Sequence, residues 1–101
     1  MGSGAHKKSG SFIGTGASKD IELDFSPKHV KVVNLTDLEW SEQFYEGGIT
    51  GKEGGISCDV AGALTGLNAA EGIVLGERKF TVGTDNSANG TDDHMVFIAQ
   101  E

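Results

Sequence analysis

The sequence is short of the residues that most often mark a covalent bridge, a secretion signal or a membrane span. It has one cysteine, Cys58, in 101 residues, so no disulfide can form within the chain. It has one proline, and no apolar run approaches the ~20 residues of a membrane-spanning helix. The first ten residues are polar and lack the apolar core of a signal peptide. We therefore expect a soluble protein that is made in a cytosol and has no membrane partner.

Basic side chains are also scarce, since 8 Lys and Arg against 15 Asp and Glu give a formal net charge of −7. A nucleic-acid-binding protein normally shows a basic stripe, because phosphate contacts supply much of its affinity. The one basic cluster, His6, Lys7 and Lys8, lies in a Gly/Ser-rich N-terminal segment. We expect no nucleic-acid partner, and we interpret residues 1–9 as a flexible arm that an assembly partner can order. His6, Lys7 and Lys8 are therefore candidate interface residues.

Glycine is in excess, with 16 residues, more than twice the usual ~7%, which favours tight turns over a helical bundle. Between residues 19 and 25, Ile21, Leu23 and Phe25 alternate with acidic residues, the period-2 pattern of a strand with one wet face. Residues 94–99 are apolar on both faces, which is typical of a central strand or of one covered by a second sheet or a subunit. The other predicted strands cover residues 11–15, 29–35, 37–45, 73–75 and 79–82.

Residues 46–72 are harder to interpret, because eight glycines interrupt them. A short helix within residues 60–70 is one alternative, but Gly62 and Gly66 would each disfavour it by roughly 1 kcal/mol. We favour a long glycine-rich excursion with short strands near residues 56–60. The whole pattern predicts an all-β fold of about eight short strands, a single small β-sandwich or jelly-roll-like domain over residues 10–101, with no helix needed to close its core.

The segment from Asp85 to Gly90 matches the start of a calcium-binding loop. Position twelve of that loop should supply a bidentate Glu, but it is Val96 here. We interpret the segment as a connecting turn rich in Asx hydrogen bonds. A weak calcium site that uses Asp92 and Asp93 stays open as the alternative.

No other motif predicts catalysis or metal binding. Residues 47–53 lack the spacing of a phosphate loop, and Glu53 stands where Ser or Thr should hold magnesium. The three histidines are scattered singly, whereas zinc needs three or four N or S ligands. We expect Cys58 to be a small buried residue. The sequence therefore predicts no enzyme activity, no catalytic or metal site and no cofactor.

Three aromatic residues lie close together in the sequence, Trp40, Phe44 and Tyr45. Aromatic residues make up only 7% of the chain, and their large apolar area makes these three first candidates for the core or for an interface. We count them as candidate interface residues. A platform that stacks on sugar rings is the alternative interpretation.

Three segments of the chain resemble one family. Residues 10–25 (GSFIGTGASKDIELDF) and 26–34 (SPKHVKVVN) resemble the opening of small β-domains in virion proteins of tailed phages. Near the end, residues 79–85 (KFTVGTD), Asn89-Gly90 and residues 96–99 (VFIA) resemble the close of the same domains. Asp24 and Lys79 replace glycines that are usual in the family, and Met95 and Phe97 replace its aromatic residues. The matching segments cover 38 of the 101 residues and leave out residues 36–76.

The resemblance implies a capsid decoration, or cement, protein, because the module stands here almost alone, without the shaft of a fibre. Such a protein would assemble in the host cytoplasm on the outside of the virion capsid, as a homotrimer. It would bridge neighbouring subunits of the major capsid protein, and multivalent attachment would give strong binding without one large interface. The alternative is an adhesion module of a tail or head fibre that binds host surface carbohydrate through Trp40, Tyr45 and the acidic loops.

Overall fold

A computed structural model describes residues 6–44 and 50–101, which form two antiparallel β-sheets packed against each other. The strands are β1 (Lys7–Ile13), β2 (Lys19–Glu22), β3 (His29–Asn34), β4 (Glu39–Gln43), β5 (Ile56–Cys58), β6 (Leu64–Gly66), β7 (Ile73–Gly76), β8 (Lys79–Val82) and β9 (His94–Gln100), with a one-turn helix, α1 (Asn86–Asn89), before β9. The six-stranded sheet has the order β1-β9-β3-β4-β5-β6 and the three-stranded sheet the order β2-β8-β7. The predicted small β-sandwich is confirmed.

The core lies between the sheets, where the apolar faces of the alternating strands meet. The predicted alternation of burial is confirmed, because Leu23 and Phe25 are buried while Glu22 and Asp24 are exposed. The strand predicted over residues 19–25 is shorter, since β2 ends at Glu22. Phe80 of β8 meets Phe97 of β9 edge to face with ring centroids 5.2 Å apart, a geometry that the ring quadrupoles favour. The fully enclosed apolar side chains are Val30, Val32, Ile73, Phe80, Val82, Ala88, Met95 and Ala99.

Strand β9 is central, as its two apolar faces predict. It pairs with β1 on one side and β3 on the other. Met95, Phe97 and Ala99 face the core, while Val96 and Ile98 lie on the opposite face and stay partly exposed. We call that opposite face, which is turned away from the three-stranded sheet, the outer face.

The predicted N-terminal arm is shorter than expected. Strand β1 begins at Lys7 and pairs Lys7 with Gln100 and Ser9 with Ile98, so residues 7–9 belong to the sheet and the boundary predicted at residue 10 lies too late. Residues 7–9 have no apolar side chains that would predict a strand, but their backbone hydrogen bonds to β9 do not depend on such side chains. Residues 1–5 lie outside the described residues.

The predicted glycine-rich excursion contains two short strands joined by turns. The strand expected near residues 56–60 is confirmed as β5, and β6 pairs with it to extend the large sheet. The helix considered for residues 60–70 is wrong, because Leu64–Gly66 is a strand. Gly54 approaches its neighbours so closely that a Cβ would lie 2.2 Å from the Asn68 carbonyl oxygen. Residues 45–49 of this stretch lie outside the described residues.

The helix α1 closes one end of the core, where the sequence predicted only a turn. Asp85 caps it, with Oδ2 accepting hydrogen bonds from the Ser87 backbone N–H (3.1 Å) and hydroxyl (2.5 Å). Such a carboxylate satisfies backbone donors that the first helical turn leaves unpaired. Ala88 of this turn is fully buried, so the segment that resembles a calcium loop supplies part of the hydrophobic core.

Asn89 is fully buried and ties this end together. Its Oδ1 accepts the Thr15 N–H at 2.7 Å, and its Nδ2 donates to the carbonyl oxygens of Ala17 (2.6 Å) and Gly83 (3.0 Å). One side chain thus joins the β1–β2 loop to the end of β8. Beside it, a Cβ on Gly14 would lie 1.8 Å from a backbone carbonyl oxygen, so only glycine fits there.

Replacing Asn89 with alanine should destabilise the fold by on the order of 3 kcal/mol, because it leaves several buried backbone groups without partners. Urea denaturation monitored by Trp40 fluorescence measures this change. The matched control is Asn68→Ala, whose side chain also bonds to backbone but at an exposed site, with an expected loss of about 1 kcal/mol or less. Equal losses in the two variants would contradict the role assigned to Asn89.

Candidate interaction surfaces

We call the end of the sandwich where β1 and β3 finish and β4 and β9 begin the loop end, and the opposite end the terminal end. At the loop end the side chain of Asn34 is fully buried. Its Nδ2 donates to the Asn86 carbonyl oxygen and to Asp93 Oδ2, both at 2.8 Å. Its Oδ1 accepts the N–H groups of Thr36 (3.0 Å) and Asp37 (2.9 Å). The turn between β3 and β4 is thereby fixed to α1 and to the segment before β9.

This fixed turn presents two large apolar side chains to solvent. Leu35 is 50% exposed and Leu38 is 66% exposed. Leu38 has φ 60°, in the left-handed region, which costs a residue with a Cβ roughly 1–2 kcal/mol. Its N–H donates to the Asn34 carbonyl oxygen at 2.8 Å, so the turn hydrogen bond maintains the strained conformation. Strain kept at an exposed apolar residue is typical of a functional position.

A third apolar residue and several carboxylates surround the two leucines. Ile13, 51% exposed, pairs with His94, whose carbonyl oxygen accepts the Leu35 N–H at 2.8 Å. Asn86 Nδ2 donates to Asp37 Oδ2 and to Glu39 Oε1, both at 2.6 Å. We call Ile13, Leu35 and Leu38 with these carboxylates the loop-end patch. This patch was not among the predicted interface residues, although two leucines inside a turn that is otherwise polar were an available signal.

The outer face of the six-stranded sheet is the second surface. Register places Val96, Val33, Trp40 and Cys58 in one row across β9, β3, β4 and β5. All four side chains are partly exposed. The prediction that Cys58 is buried is therefore wrong, because Cys58 lies on this face opposite Trp40.

The neighbouring row on the outer face is polar at its centre. Lys31 pairs with Glu42, and Lys31 Nζ lies 4.5 Å from the centroid of the Trp40 ring, a cation–π distance. Glu42 Oε2 lies 2.5 Å from His29 Nε2, and His29 Nδ1 lies 3.0 Å from Gln100 Nε2. The outer face therefore combines an apolar row with a lysine and a carboxylate that lie opposite each other in register.

The structure does not gather the predicted interface residues into one patch. His6 is at the terminal end, where Nδ1 lies 2.6 Å from Glu101 Oε1 and the ring stacks on Phe25 at 5.7 Å between centroids. Lys7 and Lys8 are exposed on the edge strand β1. Phe44, 63% exposed, follows β4 toward the terminal end. Trp40 is on the outer face, and Tyr45 lies outside the described residues.

Within residues 6–44 and 50–101, no three His, Cys, Asp or Glu side chains form a group that could hold a metal ion. In the same residues, no helix has the length and apolar character needed to cross a membrane. The Glu53 carboxylate, part of the segment compared with a phosphate loop, accepts the Gly51 N–H at 2.9 Å. This hydrogen bond lowers the pKa of Glu53.

No protein-family model, curated protein or solved structure matches the chain. The segments that carry the resemblance to phage virion domains nevertheless lie together. Residues 10–34 contain β2, β3 and most of β1, residues 79–85 contain β8, and residues 96–99 form more than half of β9. These strands are direct neighbours, as β1-β9-β3 in one sheet and β2-β8 in the other. The resembling segments therefore form one half of the sandwich.

The pair His6 and Glu101 should make stability depend on pH. The hydrogen bond with Glu101, followed by its charge, raises the pKa of His6 above its usual 6.5. A raised pKa means that the stabilisation is fully present below the unfolded-state pKa and is lost as pH rises through the folded-state pKa. We expect Glu101→Gln to lower stability at about pH 5.5 and to have little effect at about pH 8.5, where His6 is neutral.

An NMR titration of His6 in both proteins and urea denaturation at the two pH values measure this effect. Glu77→Gln, an exposed carboxylate in the β7–β8 turn, is the matched control. An unchanged His6 titration in the Glu101→Gln variant would contradict the pairing.

Proposed function

We propose that the protein is a structural protein of a phage virion, a decoration (cement) protein that binds the outside of the capsid and stabilises it by bridging subunits of the major capsid protein. The loop-end patch is the observation that carries this proposal. It combines exposed apolar side chains, a fixed backbone and a strained residue in one small area. These features suit a surface that becomes buried against another protein.

The energetics favour burial of the patch. Covering one leucine side chain gains up to roughly 1.5–3 kcal/mol. The strain at Leu38 is already present in the free protein, so binding does not add it. Asn34 fixes the turn in the free protein, so little conformational entropy is lost when a partner binds. The patch is therefore pre-organised for contact.

Charge indicates what kind of partner the patch fits. Asp37, Glu39 and Asp92 lie around the loop end, in a chain with formal net charge −7. An acidic surface with an apolar centre complements a basic surface with an apolar pocket, and such complementarity also accelerates the encounter. A shell subunit with basic groups around an apolar depression is the partner that we propose.

The phage setting comes from the resemblance, and the fold is compatible with it. The half of the sandwich that contains the resembling segments includes Ile13. It also includes Asn34, which fixes the turn that holds Leu35 and Leu38. The resemblance also implies a homotrimer, which stays a prediction for a measurement of mass in solution.

The alternative, a carbohydrate-binding adhesion module, is less well supported. Sugar rings stack on an open aromatic face, but Lys31 Nζ lies 4.5 Å from the Trp40 ring centroid. A sugar that stacked on that side would have to displace the lysine. Tyr45, the other predicted platform residue, lies outside the described residues.

Binding to capsids that lack the protein tests the proposal, with co-sedimentation as the measurement. Leu38→Asn should weaken binding roughly tenfold to a hundredfold, because one apolar side chain is no longer buried in the interface. The variant should fold at least as stably as the parent, because Asn tolerates the left-handed conformation better than Leu does.

Phe44→Asn is the matched control, since Phe44 is equally exposed but lies toward the opposite end. An equal loss in both variants would place the contact elsewhere. Failure of the parent protein to bind such capsids, with retention on a glycan array, would replace the proposal by the adhesion module.

A further inference from the structure

The outer face carries a group of apolar side chains that are partly exposed to solvent. Its partly exposed apolar side chains are Val33, Trp40, Ile56, Val96 and Ile98, and the three-stranded sheet covers only the opposite face. A strand that is apolar on both faces, as β9 is, is normally covered on both. We infer that a second copy of this chain packs its own outer face here, about a twofold axis that runs parallel to the strands between β3 and β4.

The charges on the outer face allow two copies to pair there, although the chain as a whole is strongly acidic. The charged side chains on the outward positions of the six strands are Lys7, Lys31 and Glu42. The Lys52 side chain lies over Gly66 of β6 on the same face, so three cations and one anion give the face a formal charge of +2 with His neutral. The whole chain carries −7. Two copies therefore repel each other least when they meet through this face.

The register makes the face complementary to itself. The proposed axis places β3 of one copy over β4 of the other, because these two strands are the middle pair of six. Lys31 and Glu42 occupy the same row, so Lys31 of each copy faces Glu42 of the second copy. Opposite charges then meet twice across the interface.

The apolar row matches in the same way. Val33 pairs with Trp40 within one chain, and the axis brings Val33 of one copy over Trp40 of the other. Val96 and Cys58 stand one strand further out on either side, so they also face each other between copies. Sheets stack in this way at about 10 Å, with their strands inclined by about 30°.

Shape supports the same arrangement. The β1-β9-β3 half of the face contains a groove of about 450 Å³, lined by Ser9, Lys31, Val33, Val96 and Ile98 among others. The β4-β5-β6 half carries Leu64 on β6, 64% exposed, on the same face as Cys58. The axis places each half over the other, so Leu64 and Trp40 of one copy lie over the grooved half of the second copy.

The area is sufficient for a reversible dimer. Six strands at ~4.8 Å spacing and three rows of side chains along them give a face of roughly 600 Å². Interfaces of about 800 Å² per partner are usual for stable complexes. We therefore expect a dimer that dissociates on dilution. It differs from the trimer implied by the resemblance, and mass in solution distinguishes the two.

The axis has a consequence for assembly on a surface. Because it runs parallel to the strands, it leaves both loop ends pointing in the same direction. A dimer would thus present two loop-end patches to one surface and gain avidity over a single protomer. The pairing itself does not depend on the proposed function.

Sedimentation equilibrium of the whole protein over a range of concentrations tests the pairing, with a monomer–dimer equilibrium as the expected result. Lys31→Glu alone should abolish the dimer, because two carboxylates then face each other, and Glu42→Lys alone should do the same. An equimolar mixture of the two variants should form a heterodimer, since every charge then meets its opposite. The control Lys28→Glu makes the same charge change at an exposed loop position before β3 and should leave the dimer intact.

Two natural probes give a second measurement. Cys58 is the one thiol and Trp40 the one indole, and both lie within the proposed interface. Dimer formation should slow the reaction of Cys58 with a thiol reagent and shift Trp40 emission to shorter wavelength. In the Lys31→Glu variant neither signal should depend on protein concentration.

A monomeric mass at every concentration, or a trimer, would overturn the inference, as would a mixture of the two charge variants that stays monomeric. Capsid co-sedimentation is scored separately with the monomeric Lys31→Glu variant, whose loop end is unchanged. Weakened but detectable binding there would support the proposed function whether or not the dimer forms. If the parent protein forms the dimer but does not bind capsids, the proposed function is refuted and the inferred pairing still stands.

Discussion

Two buried asparagine side chains hold the loop end closed, and the rest of the fold depends on them. An amide side chain offers both donors and an acceptor, so Asn34 and Asn89 can each satisfy backbone groups on several segments at once. Among the described residues, no buried side-chain nitrogen or oxygen lacks a partner. An unpaired buried group costs about 1–3 kcal/mol. Substitution of either asparagine would therefore destabilise the β3–β4 turn, α1 and the β1–β2 loop together.

This closure explains how a strained apolar turn can persist in a small domain. Leu38 would leave the left-handed region if its turn were free, but Asn34 holds the preceding N–H groups and α1 holds Asp37 through Asn86. The hydrogen bonds that stabilise this end of the domain therefore also offset the strain at Leu38. The same network contains Gly14 and Asn89 from the segments that resemble phage virion domains, so those motif residues serve the closure of the fold and the presentation of the patch.

The sequence predicted the parts of the fold in which side chains alternate. The alternation of Ile21, Leu23 and Phe25 is confirmed, and β9 is central because both of its faces are apolar. Strand β6 and the start of β1 at Lys7 escaped prediction, because backbone pairing holds these edge segments and leaves no period-2 signal. At the candidate surfaces, Trp40 was predicted as an interface residue because an aromatic side chain has a large apolar area. Leu35 and Leu38 were missed because the strain at Leu38 depends on a backbone angle that no residue pattern reveals.

The two surfaces adjoin at Ile13, which occupies an outward position of β1, but the paired rows of Val33 and Lys31 lie farther along the strands. A three-stranded sheet can cover only one face of a six-stranded sheet, and a chain of 101 residues has little left with which to cover the other. Extension of the sheet by β5 and β6 enlarges the uncovered face, while the loop-end patch lies at the ends of β1 and β3. A second copy on the outer face therefore leaves the β3–β4 turn with Leu35 and Leu38 beyond the paired rows. Strands β4, β5 and β6, which the resemblance does not cover, thus supply half of the pairing surface. The strands that contain the resembling segments supply much of the loop end, which is the surface proposed to contact the capsid.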